Sequence, residues 1–316
     1  MSNDGVVRVG ELKKFFKLSQ VSGDAESLRR KILVPDVNRG GLELVGYYKH
    51  TDLKRIILFG DKEISYIKTL IDDYQRLNFD FLTGETTPAI IITKNHKVPK
   101  ILLEVAREKN FPVFKTKEET VRMMVEIISF LDSAFAPTSS LHGTLINVYG
   151  KGVLIMGDSG MGKSELALEL IKRGHVLVAD DRVVTSRIHN QIFGKSPELL
   201  EGVLEVRGIG IINVMQMFGA SAIIDEIPVD VVINLEHWDQ DKDYDRLGDV
   251  NLQYMNILGI DIPLLIFPVK VGRNMAVLVE TAVANFNLKL RGINSAKDFD
   301  QKVIRYLKRK SKEESD

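Results

Sequence analysis

The nine residues GDSGMGKSE, 157–165, match the pattern G-x-x-x-x-G-K-[ST], and phosphate chemistry gives each residue type in it a task. Gly157, Gly160 and Gly162 let backbone N–H groups close around phosphate oxygens without a Cβ in the way, and Asp158, Ser159 and Met161 supply intervening amides. Lys163 is suited to neutralise β- and γ-phosphates, and the Ser164 hydroxyl to reach Mg²⁺. The stretch predicts a site for ATP or GTP with Mg²⁺.

Further candidate chemistry follows along the chain. VLVADD (176–181) ends in two adjacent carboxylates, Asp180 and Asp181. Such a pair can supply a metal ligand and a proton acceptor side by side; alternatively, both cap the next turn. In LEVRGIGIINV (204–214), Arg207 with Gly208 and Gly210 lets backbone approach an anion that a guanidinium clamps, the alternative being a tight bend. FPVKVGRN (267–274) ends a strand and opens a helix, so Lys270, Arg273 and the first-turn amides converge as an anion site. The aspartate-rich run HWDQDKDYDRLGD (237–249) fails the calcium-loop template, because Tyr244 takes the glycine position and Val250 the bidentate glutamate position.

These residues need elements to hold them. VLIM (153–156) reads as a strand entering the glycine loop, and KSELALELIKR leaves it as a helix with Leu166, Leu170 and Ile171 on one face and Gly174 as its stop. Upstream, residues 1–132 alternate strand-like runs (RIILFG, AIIIT, PVFKT) with helical ones (EISYIKTLIDDYQRL, KILLEVAREKN, EETVRMMVEIISFLDSAF), the pattern of an α/β domain. The small, polar, proline-bearing segment APTSSLHG (136–143) reads as a linker and puts the boundary near 133. From there to 316, strand-like runs crowd around one P-loop unit. The fold class expected is α/β in two domains, 1–132 and 133–316, the second rich in β-strands.

Composition narrows the function classes. Forty-three Lys+Arg balance forty-three Asp+Glu, which gives no pull toward nucleic acid or anionic lipid. The absence of cysteine removes disulfides, thiolate metal sites and thiol nucleophiles. No signal peptide or long apolar run is visible, so the expectation is a cytoplasmic protein without nucleic-acid or membrane partners.

The segments HGTLINVYGKGVLIMGDSGMGKSELALELIKRGHVLVADDRV (142–183) and LEGVLEVRGIGIINV (200–214) together resemble the bifunctional HPr kinase/phosphorylase family of Gram-positive bacteria. The likeness is strong from 136 to about 295 and looser over the amino-terminal domain. It implies that 133–316 is a P-loop kinase domain and that 1–132 has a regulatory or assembly role. It implies phosphorylation of a serine on the phosphocarrier HPr by ATP or pyrophosphate, and reversal in which inorganic phosphate attacks the phosphoserine and releases pyrophosphate, in control of carbon catabolite repression. Carried over residue by residue, it makes His142, Lys163, Asp181 and Arg246 catalytic, gives Mg²⁺ to Ser164 and Glu205, and ties the segment with Lys270 and Arg273 to dephosphorylation. It also implies a homo-hexamer activated by fructose-1,6-bisphosphate. Two other readings share the cradle: a P-loop kinase acting on a metabolite, and a non-catalytic nucleotide-sensing regulator.

Overall fold

The computed structural model describes residues 6–239, 253–270, 272–293 and 295–313. The chain divides into two units, Met1–Ala136 and Pro137–Asp316.

The first unit runs β1 (Val7–Arg8), α1 (Val9–Phe15), β2 (Ser19–Ser22), β3 (Lys31–Ile32), β4 (Val37–Asn38), α2 (Gly41–Leu44), β5 (Ile56–Phe59), α3 (Asp61–Ile67), α4 (Asp72–Leu82), β6 (Ile90–Ile92), α5 (Lys100–Glu108), β7 (Val113–Lys115) and α6 (Thr120–Ala134). Its main sheet has the order β2-β7-β6-β5-β4, with β4 to β7 parallel and β2 antiparallel at the edge. Strands β5 and β6 are buried at every position. Their continuous apolar runs suit a sheet covered on both faces. Ile57, Phe59, Ile90 and Ile92 pack with Phe79, Leu82, Leu102 and Val105. Ile56, Leu58 and Ile91 pack with Met123, Ile127 and Leu131 of α6. The helical stretch expected over 63–77 is broken: the Thr69 hydroxyl donates to the Tyr66 carbonyl at 2.7 Å, and Asp72 and Asp73 open the next helix, where its dipole favours them.

The second unit runs β8 (Thr138–His142), β9 (Thr144–Val148), β10 (Lys151–Gly157), α7 (Lys163–Lys172), β11 (Val176–Ala179), β12 (Arg182–Ile188), β13 (Gln191–Lys195), β14 (Val203–Val206), β15 (Gly210–Asn213), α8 (Val214–Phe218), β16 (Glu226–His237), β17 (Gln253–Ile257), β18 (Ile260–Val269), α9 (Met275–Leu290) and α10 (Ser295–Glu313). The nine-stranded sheet is organised by β16, which lies parallel to β10 on one side. On its other side its first residues pair with β13 and its last six with β18. The pleat sends Val153, Ile155, Val231 and Ile233 to one face, against α7 and α9, and Leu154 and Val232 to the other. Among the described residues no helix is long and apolar enough to cross a membrane.

The segment expected as a linker is in part a strand. Thr138–His142 pairs antiparallel with β12, placing His142 opposite Arg182 at the strand's end. Its residues TSSLH give no apolar alternation to read, and the pairing with β12 orders them.

Strand β10 delivers the glycine loop, and its register with β16 depends on one missing side chain. A Cβ on Gly152 would lie 1.9 Å from the Pro228 carbonyl oxygen. The register shifts between Gly152 and Val153, and Asp230 clasps the shift, accepting from the Gly152 amide at 2.9 Å and the Lys151 ammonium at 2.8 Å. Gly152→Ala is expected to destabilise the fold by roughly 1–3 kcal/mol through overpacking, a Tm lower by about 5 °C in thermal unfolding. An unchanged Tm would show that the two strands do not approach this closely in solution.

Candidate active site

The loop between β10 and α7 needs left-handed backbone, and glycines supply it: φ is +141° at Gly157, +91° at Gly160 and +84° at Gly162. At Gly157 space is limiting as well, since a Cβ would meet the Leu235 carbonyl oxygen of β16 at 2.6 Å. Lys163 is buried, and its ammonium donates to the main-chain oxygens of Gly157 at 2.8 Å and Asp158 at 3.0 Å. An ammonium has three N–H donors, which leaves one for a ligand.

The two aspartates that end the next stretch of chain are turned apart. The Arg182 amide donates to the Asp180 carbonyl at 2.7 Å, closing a three-residue turn centred on Asp181, whose φ is +63°. That region is costly for a residue with a Cβ, and such strain gathers at functional sites. The Gly143 amide secures the turn by donating to the Asp181 carbonyl at 3.1 Å. Asp180 consequently points inward and is 4% exposed, while Asp181 faces outward.

Each carboxylate has its own partners. Asp180 Oδ1 accepts from the Thr144 hydroxyl at 2.6 Å, and Oδ2 accepts from the Ser164 hydroxyl at 2.9 Å and, more weakly, from the Glu205 amide at 3.4 Å. Asp181 Oδ1 lies 3.2 Å from His142 Nδ1. From the β14–β15 hairpin, Arg207 reaches back over the glycine loop, its Nη2 donating to the Ser159 hydroxyl at 3.2 Å. A cavity of about 180 Å³ collects these groups: His142, Ser159, Gly160, Gly162, Lys163, Ser164, Asp180, Asp181, Glu205 and Arg207 line it.

Residues 7–131 match the HPr Serine kinase N terminus family, and residues 133–303 match the HPr Serine kinase C-terminal domain family. The HPr kinase/phosphorylase of Bacillus cytotoxicus is 43% identical over 299 residues, which cover 94% of this chain and 96% of that protein. The HPr kinase/phosphorylase of Bacillus cereus is 42% identical over the same extent. The chain belongs to the HPr serine kinase family. A solved structure, that of the Hpr(Ser) kinase/phosphatase from Coxiella burnetii, is 37% identical, covers 51% of this chain and 98% of its own, and superposes with a TM-score of 0.45. Membership makes this chain a phosphotransferase and implies a nucleotide phosphoryl donor.

Against that family the expected residues divide clearly. His142, Lys163, Ser164, Asp181, Glu205 and Arg207 all meet in the one cavity. Arg246 lies outside the described residues. Lys270 and Arg273 do not line the cavity. Both instead lie 5.0 Å from the centroid of the Trp238 ring, which follows β16 as Lys270 follows β18. The amides opening α9 are not all free, since the Asn274 side chain caps Val277 at 3.0 Å. Two participants escaped the sequence reading, Thr144 and Trp238. Asp180 was visible there as half of a pair, but not as its buried half.

Asp180→Ala removes the acceptor that fixes Ser164, Thr144 and the start of the hairpin together. Nucleotide affinity measured with Mg²⁺ present is expected to fall at least tenfold, with a smaller change when Mg²⁺ is left out. Equal losses under both conditions would reduce Asp180 to a scaffold for the loop.

Proposed function

We propose that this protein transfers the γ-phosphoryl group of ATP, or a phosphoryl group of pyrophosphate, to a serine hydroxyl of HPr, and reverses the modification by phosphorolysis. The observation that carries this reading is the separation of Asp180 and Asp181: one carboxylate is locked against the phosphate loop, and its neighbour is open to an incoming acceptor beside His142. A switch or motor needs the first group alone, whereas a kinase needs the second as well. The names of the relatives supply HPr as the acceptor.

In the forward direction Asp181 takes the serine proton as the hydroxyl oxygen bonds to the γ-phosphorus and the bond to the β-phosphate oxygen breaks, releasing ADP. With its proton on Nδ1, His142 donates to Asp181 and holds that carboxylate toward the acceptor. Lys163 and Arg207 both line the cavity and supply its cationic contacts to the phosphates. In reverse, a phosphate oxygen attacks the phosphoserine, the serine oxygen departs and recovers a proton from Asp181, and pyrophosphate is the product. The donor set fits Mg²⁺ arriving with the nucleotide. The Ser164 hydroxyl, the Asp180 carboxylate and the Glu205 carboxylate are hard oxygen ligands among the groups lining the cavity, and among the described residues no cluster of three or more His, Asp or Glu forms a cage of its own. When bound, the ion would neutralise charge on the transferring phosphates.

Residues 133–316 are read as the catalytic domain and 1–132 as a regulatory or assembly domain. Family resemblance further supports a cytoplasmic hexamer, checked by the mass of the purified protein in solution. The primary test incubates the chain with labelled ATP and HPr. Label on HPr serine supports the proposal, label on a metabolite from cell extract supports a small-molecule kinase, and binding without transfer supports a nucleotide sensor.

Asp181→Asn keeps the side chain's size but can neither take nor return the proton. Kinase and phosphorolysis rates are expected to fall together by ~10²–10⁴-fold, with ATP affinity retained; loss of one direction alone would break the shared acid–base role. Lys270 and Arg273, held on Trp238, are assigned to the attacking inorganic phosphate. Arg273→Ala should therefore lower phosphorolysis several-fold more than phosphorylation, and an equal fall in the two rates would remove that assignment.

A further inference from the structure

The β14–β15 hairpin has two faces, and one of them departs from the usual pattern. Leu204, Val206 and Ile212 point into the core that α7 and α9 share. The opposite face carries Glu205, and the strand register places Ile211 directly across from it. Residues directly opposite in an antiparallel pair lie side by side on one face of the ribbon. Ile211 is therefore the immediate neighbour of a cavity-lining carboxylate, yet it is 74% exposed, and Ile209 in the connecting turn is 68% exposed. Alternation calls for polar side chains at such positions, and an isoleucine can contribute nothing to phosphate chemistry.

The size of the cavity says what lies over them. Among the described residues the cavity of about 180 Å³ has room for phosphates and one side chain. A protein acceptor must reach in with its serine and leave the residues around that serine outside, on the rim. On the hairpin, Ile211 lies next to the cavity-lining Glu205, and Ile209 follows the cavity-lining Arg207 in the connecting turn. We infer that Ile209 and Ile211 are the docking surface for the protein acceptor, and that they fit an acceptor whose serine is flanked by apolar side chains; this rests on the proposed protein-serine kinase activity. The hairpin then has a double duty: Glu205 and Arg207 face the phosphate, and Ile209 and Ile211 hold the chain that receives it. The same contact serves both directions, since the acceptor and its phosphorylated form carry the same neighbours around the serine.

The test measures kinase and phosphorolysis kinetics for Ile211→Ser and for Ile209→Ser/Ile211→Ser, with Ile211→Leu as the conservative variant. The serine variants are expected to raise KM for HPr and for phospho-HPr together by about ten- to a hundredfold. Their kcat, ATP affinity and KM for inorganic phosphate should stay within about twofold of the parent, and Ile211→Leu should restore the parental KM. An unchanged KM for HPr, or a fall in kcat alone, would overturn the inference. So would an unchanged KM accompanied by a smaller particle mass, which would assign the isoleucines to contacts between copies of the chain. If the parent protein binds ATP but never labels HPr, the proposed activity has failed; if it labels HPr and the serine variants match it, only the docking surface has.

Discussion

The candidate active site is tied together by a single buried carboxylate. Asp180 accepts from Thr144 of β9, from Ser164 at the start of α7 and from the amide of Glu205 in β14, three elements that also share one apolar core and that this carboxylate ties together at its polar edge. All three donors are neutral, so hydrogen bonds rather than an ion pair hold the group in place. Leaving one such buried acceptor unmatched costs about 1–3 kcal/mol, which makes the set all-or-none in practice. The phosphate loop, the sheet and the hairpin are thereby fixed relative to one another before any ligand arrives. Preorganisation of that kind is where most of the electrostatic benefit of a phosphoryl-transfer site originates.

A second constraint follows from the first. If Asp180 turns inward, an extended chain would send Asp181 to the other face of the strand, away from the cavity. The three-residue turn prevents this. By placing Asp181 at φ +63° it keeps both carboxylates on the cavity while giving one burial and the other solvent. The cost of the left-handed residue is met by the bonds from Gly143 and Arg182 that close the turn. Because Gly143 follows His142 directly, the same contact brings the imidazole up to Asp181.

Much of this was legible in the sequence, and the parts that were not share a cause. The glycine loop is local: residue types at fixed spacing define it, as apolar runs define β10, β11 and β16. Strand β8 is illegible because TSSLH has no periodic apolar signal, and its only instruction lies in β12. The burial of Asp180 could not be read from ADD, because it depends on Thr144, thirty-six residues earlier. Likewise, Lys270 and Arg273 read as cations at a helix start, whereas the ring they stack on comes from the end of another strand. What sequence reading missed are side-chain partnerships between distant segments, which spacing does not encode.

The division of labour proposed for the two aspartates bears on how one cavity would serve two opposite reactions. A group that accepts a proton in one direction must return it in the other, so it must be able to change its hydrogen bonding without disturbing its surroundings. Asp180 is unsuited to this. Each of its oxygens accepts from a donor the fold depends on, and protonating either would break that bond inside a buried site. Among the described residues Asp181 has a single side-chain partner, His142, and both side chains are more than half exposed, so gaining or losing a proton there asks nothing of the core. The buried carboxylate sets the geometry, the exposed one is free to exchange, and the strained turn between them lets two adjacent residues differ this much in environment. A reversible phosphoryl transfer needs a rigid cradle and a labile proton within a few ångströms of each other, and on the proposed roles three consecutive residues, ADD, would supply both.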